Sequence, residues 1–159
     1  MAFSRAQIRN EHLVTDVYGK WPSFHDSELH DVFLERTGST DVGGPDLRMR
    51  CHVFEVTKDV DEQGYFVLVK HRLVTLLFTG VENLKFEGFN HQNVIEDLSI
   101  SDITVRQWEA LHFEVELEPA HGAFMTFFCC EVVVEEVENH EPQWLGGHPR
   151  GTRSPPRPL

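Results

Sequence analysis

Along most of this chain apolar and polar residues alternate with a period of two. Leu47, Met49, Cys51 and Val53 are separated by Arg48, Arg50 and His52, the pattern of a strand with one buried face and one wet face. Leu111, Phe113, Val115 and Leu117 alternate in the same way with His112, Glu114, Glu116 and Glu118. After a Pro119-Ala120-His121-Gly122 turn, Phe124 to Val137 is apolar at nearly every position. That pair predicts a hairpin whose second strand is covered on both faces and lies in mid-sheet. Further strands are predicted over 27–36, over 65–79 as one bent strand or two, over 84–89 and over 94–103. Gly38, Gly43, Gly44 and Pro45 mark a loop over 37–46, and the charged stretch 58–64 marks a turn.

Only ahead of Trp21 does the period change. Residues 4–19 place Ile8, Leu13, Val14, Val17 and Tyr18 broadly along one side of a helix, with Ser4 as its cap and Gly19 as its left-handed exit. Pro22 stops that helix from continuing. One helix ahead of a run of strands must lay its apolar stripe on a sheet. The fold class is therefore α+β and mostly β: an antiparallel sheet assembly of about seven or eight strands with one N-terminal helix packed on it. At 159 residues the chain is expected to form a single globular domain over 1–145. Residues 146–159 hold Pro149, Pro155, Pro156 and Pro158 among Gly, Ser and Arg. They bury too little apolar surface to offset their ordering entropy, so a disordered tail is expected there.

Composition narrows the function classes. No apolar run approaches the roughly 20 residues of a membrane span, and no basic patch precedes an apolar segment at the N-terminus. No membrane partner is expected, and cytoplasmic residence is the default. The odd count of cysteines, Cys51, Cys129 and Cys130, argues for buried reduced thiols rather than a disulfide framework. The net charge is −12, and its distribution is uneven. Between residues 86 and 149 Arg106 is the only base against 13 acids. Nucleic acid is thereby disfavoured as a partner, since binding it means neutralising phosphates. A basic protein fits better.

Two groups of residues invite a chemical reading. His25, Asp26, Glu28, His30 and Asp31 crowd into one short segment, and an extended chain would turn Asp26, Glu28 and His30 to one side, where they could meet an ion. The structural alternative has Asp26 capping backbone amides while His25 fixes the turn, and it is preferred. An enzyme or metal-binding module centred on His25-Asp26 is the rival class. No phosphate loop, nucleophile elbow or Cys-His signature is present, so neither catalytic residues, a metal nor a cofactor is expected. The second group is a glutamate row. Glu114, Glu116 and Glu118 share one face of a strand, Glu131 and Glu135 follow, and no Lys or Arg lies between Gln107 and Pro149. Like charges side by side on a sheet destabilise it, so such a row is expected to serve a field that attracts something positive. Met125, Phe127 and Cys129 form a second, apolar patch that the helix is expected to cover, and a third reading is a plain scaffold or homodimer using Met125 and Phe127 as an apolar contact. The ten histidines further predict weaker binding to a basic partner as pH falls from 8 to 6.

Two stretches carry a resemblance. Trp21-Pro22-Ser23-Phe24-His25-Asp26-Ser27-Glu28-Leu29 and Gly88-Phe89-Asn90-His91-Gln92-Asn93-Val94 resemble the bacterial immunity protein 50 family of polymorphic toxin systems. The likeness covers about Ile8 to Glu138. It implies a non-enzymatic, α+β or mostly β domain that binds and occludes a cognate toxin. It brings no catalytic residue, and it leaves Trp21, Phe24, His25, Asp26, Asn90 and His91 as motif positions with a structural role, seating the helix against the first strand. Neither the toxin's activity nor the oligomeric state follows from it.

Overall fold

The computed structural model describes residues 6–41 and 43–141, together with the backbone of 144–145 and 148–149. One helix, α1 (His12–Tyr18), precedes eight strands of one antiparallel sheet. These are β1 (Glu28–Glu35), β2 (Asp46–Val60), β3 (Phe66–Thr79), β4 (Glu82–Glu87), β5 (Val94–Asp102), β6 (Phe113–His121), β7 (Phe124–Cys129) and β8 (Glu131–Asn139). Their spatial order is β4-β7-β6-β5-β1-β2-β3-β8. A separate two-stranded pair joins β9 (Trp144–Leu145) to β10 (His148–Pro149). The expected tail from Gly146 otherwise lies outside the described residues.

Chain continuity makes this sheet curl. β3 runs into β4 and β7 runs into β8, while β3 pairs with β8 and β4 with β7. The two ends of the strand order are thus two parts of one long ribbon. That ribbon bends where Gly80 takes φ 60° and where the Cys130 amide donates to the Thr79 carbonyl at 2.8 Å. Two four-stranded halves result, β1-β2-β3-β8 and β5-β6-β7-β4, with the core between them. Phe78 of β3 meets Phe127 of β7 edge-on, ring centroids 5.0 Å apart. Leu47, Met49, Cys51 and Val53 face this core as the alternation predicts, as do Val115 and Leu117.

The bend corrects two expectations. The apolar run Phe124–Val137 is not one strand covered on both faces. It is two strands meeting at Cys130, with β7 inside the sheet order and β8 at its end. Met125, Phe127 and Cys129 are buried, but Phe127 packs on β3 of the facing half-sheet, and α1 packs on β8 and β3. A homodimer contact through Met125 and Phe127 has no exposed surface to use. Cys51 and Cys129 are buried free thiols and Cys130, at the corner, is half-buried; burial pushes the Cys51 thiol up to about 12.

The helix is also shorter than its apolar spacing suggests. Residues before it run as an extended segment along the free edge of β8, where the Arg9 amide donates to the Val132 carbonyl and the Val134 amide to the Arg9 carbonyl, both at 2.9 Å. This parallel bridge, Arg9 opposite Val133, covers an otherwise open strand edge. Edge pairing satisfies backbone groups that a longer helix would have taken inward, so Ile8 reaches the core from an extended segment. Ser4, the expected cap, lies outside the described residues. Gly19 does end the helix, at φ 79°, with its amide on the Thr15 carbonyl.

Candidate functional site

Three places gather the residues that the sequence singles out. The first is the seam between the half-sheets. β1 and β5 pair through a single residue pair, Glu28 opposite Val94, and the loops ahead of both strands extend that contact. The Asp26 amide donates to the Ile95 carbonyl (2.8 Å), the Ile95 amide to Ser27 (2.9 Å) and the Leu29 amide to Asn93 (2.8 Å). The two motif stretches, 21–29 and 88–94, therefore meet in space and zip the seam. Phe24 is its anchor: buried, packed against Trp21 at 5.6 Å between rings, and held at φ 64°. Asp26 is left-handed as well, at φ 65°. Asn93 is the latch, buried, its Oδ1 accepting the Asn90 amide at 2.9 Å and its Nδ2 donating to the Asn90 carbonyl at 2.8 Å. The Asn90 carboxamide in turn accepts the Gln92 amide at 2.9 Å. His91 is exposed beside it.

The residues offered as metal ligands here part company. His25 is exposed and lies between two carboxylates, 3.3 Å from Asp26 and 3.5 Å from Glu96. Glu28 turns to the Asn93 amide at 3.4 Å, and desolvation raises its carboxyl above the ordinary range. Asp31 is taken by the Arg50 guanidinium. His30 goes elsewhere.

The second place is the outward face of β6. Glu114, Glu116 and Glu118 alternate with buried Phe113, Val115 and Leu117, as the period of two requires. Across the face they sit opposite Ser101, Ser99 and Asp97 of β5, and Glu114 and Glu116 also sit opposite Phe128 and Thr126 of β7. Glu114 lies 3.6 Å from Arg106; among the described residues Glu116 and Glu118 have no basic partner. A hydrogen bond that the protonated Glu116 carboxyl donates to Glu118, then desolvation, then the charges of Glu118, Glu114 and Asp97 raise the Glu116 carboxyl. A raised carboxyl favours the fold below the unfolded-state pKa and loses that contribution as pH rises through the folded one. At neutral pH, then, the row strains the sheet. Beside it stand Trp108, 42% exposed, stacked edge-on to Phe128 at 5.4 Å, and Arg106 over the Trp108 ring at 5.1 Å. Glu114 and Glu116 also border an open groove of about 660 Å³ with Lys85 on its far wall.

Glu131 and Glu135 do not continue this row. Both lie on β8, in the other half-sheet, and each meets an arginine: Glu131 with Arg9 at 3.2 Å, Glu135 with Arg48 at 2.6 Å.

The third place was not legible in the sequence. His30, His52 and His140 bring ligand nitrogens within 4.8 Å of one another on the outer side of β1 and β2. His52 Nε2 also lies 2.8 Å from His71 Nδ1. Two irregularities in the ladder make this possible. His30 is the extra residue where β1 shifts register against β2, between Leu29 and Asp31. His71 follows Lys70, at φ 54°, where β3 shifts against β2 between Val53 and Glu55. Bulges of this kind re-aim side chains. Burial, reinforced by the neighbouring imidazoles, pushes His52 down to about 3 and lowers His30 and His71 as well. His52 therefore supplies none of the added positive charge expected as pH falls from 8 to 6, and His30 and His71 take up protons less readily than free imidazoles.

The sequence profile of the immunity protein 50 family matches residues 10–140, which takes in α1, β1 to β8 and both motif stretches. No curated protein and no solved structure shows a significant match. No helix among the described residues is long and apolar enough to cross a membrane. The two motifs that zip the seam, on a single eight-stranded sheet fronted by one helix, lie inside that match, and the chain belongs to the immunity protein 50 family.

Proposed function

We propose that the chain neutralises a cognate, basic toxin of a polymorphic toxin system by covering it with the outward face of β6. The family supplies the immunity role. The surface is argued from one observation: Glu116 and Glu118 stand in one row with no basic partner among the described residues, and at the Glu114 end of that row a half-exposed Trp108 stacks on Phe128. A row that strains its own sheet but suits a cationic partner fits a binding role, and a neighbouring Trp and Arg are the residue types that anchor interfaces. Glu131 and Glu135 contribute little in this reading, because Arg9 and Arg48 already answer them. The mechanism is steric and electrostatic blockade, with no catalytic step and no nucleic acid or membrane contact.

The test is co-expression with the toxin encoded by the adjacent gene. Glu114, Glu116 and Glu118 replaced together by Lys should abolish protection while the purified variant keeps its far-UV spectrum and cooperative unfolding. Full protection by a folded triple variant overturns the assignment of this surface.

A further inference from the structure

We propose that His30, His52 and His140 form a binding site for one divalent transition-metal ion of the zinc class, with His71 as the positioning residue. Imidazole nitrogens suit Zn²⁺, Cu²⁺ and Ni²⁺, and three histidines with one open position are a recurrent zinc arrangement. The nitrogens lie within 4.8 Å of one another; Zn–N bonds of about 2.0–2.1 Å bring tetrahedral ligands to about 3.3 Å apart. Closing that gap takes side-chain rotation on the order of 1 Å. His30 is exposed and His140 half-exposed, so both rings have room to turn inward onto the buried His52.

Three features separate this cluster from histidines that merely pack. The rings crowd together, His52 to His140 at 4.6 Å and His30 to His140 at 5.2 Å between centroids. An imidazole nitrogen that carries no proton offers an electron pair to a metal ion. His52 is also held from behind: His71 meets it at 2.8 Å and is itself bonded to the Leu68 backbone, as an outer partner orients a metal-bound imidazole. Phe54 flanks both rings, at 5.6 Å and 5.8 Å, and walls water from that side. The strands bulge on both sides of His52, at His30 and at Lys70-His71, to place these groups.

The site is independent of the β6 face, and its test does not need the toxin. The full chain, free of any polyhistidine tag, is titrated with ZnCl₂ by calorimetry, and its melting temperature is followed with Zn²⁺ and then with excess chelator. One equivalent should bind saturably, raise the melting temperature, and release its gain to the chelator. His30→Gln with His140→Gln alters only exposed or half-exposed rings and should weaken binding by at least about 10-fold. His71→Gln should weaken it less, and His25→Gln should leave it unchanged. Failure to bind saturably, or undiminished binding by a folded His30→Gln/His140→Gln variant, overturns the proposal.

Discussion

Replacing Phe24 by alanine is expected to destabilise the chain by about 3–5 kcal/mol, read from urea unfolding, because it empties a fully buried aromatic site. Phe24 is 1% exposed and among the largest buried side chains. Its backbone is already left-handed at φ 64°. Alanine in the same conformation carries a similar backbone penalty, so the measured loss reports the ring's packing rather than relief of strain. The ring also sits in the turn whose Phe24 carbonyl accepts the Ser27 amide at 3.0 Å, two residues before Asp26, the first amide of the seam. Losing the anchor should therefore loosen Asp26, Leu29 and Ile95 together, visible as faster exchange of those amides. A loss under about 1 kcal/mol, with those amides still protected, would mean the pocket collapses around alanine and the seam holds without Phe24.

Gly122→Ala should be nearly as damaging, at about 2–4 kcal/mol, and comparison with Gly19→Ala explains why. Both glycines are left-handed, at φ 90° and φ 79°. A Cβ at Gly19 meets nothing within 4 Å, whereas at Gly122 it lies 2.6 Å from the Asn93 carboxamide oxygen and 2.6 Å from the Gln92 carbonyl. Gly19→Ala is expected to lose about 1 kcal/mol, the backbone term alone. Gly122→Ala carries that term and also displaces Asn93, leaving buried polar groups unpaired at about 1–3 kcal/mol more. Equal losses at the two positions would show that the turn yields and that the latch is not rigid.

Much of the scaffold is legible in the chain because strands write themselves in a period of two. Leu47, Met49, Cys51 and Val53, like Phe113 to Glu118, appear as their alternation demands, whereas His52, expected on the wet face, is buried among other histidines. The run Phe124–Val137 misleads because a curled sheet buries consecutive residues in another way. At Cys130 the strand changes neighbours, and Val132, Val133 and Val134 are all buried, Val133 beneath the Arg9 bridge. The helix is shorter than its apolar spacing predicts because helical spacing and an edge strand both place Ile8 inward.

The sites divide in the same way. The β6 glutamates follow from parity, and their shortage of cations from composition. Asp26, Glu28 and His30 are close in the chain, yet each faces a different neighbour once Asp26 turns left-handed and β1 bulges at His30. The histidine cluster left no sequence signal, since its members lie in distant segments: a register shift re-aims His30, and His140 arrives just after β8, its amide 3.3 Å from the His71 carbonyl.

The most direct measurement of the binding account is the association rate of the chain with its toxin as ionic strength is raised. A carboxylate row that steers a cationic partner should give a rate that falls steeply with salt. In the Glu114→Lys/Glu116→Lys/Glu118→Lys variant the rate at low salt should collapse and its dependence on salt should flatten or invert. An association rate indifferent to salt in the wild type, or one of the same steepness in the triple variant, would contradict recognition through the outward face of β6.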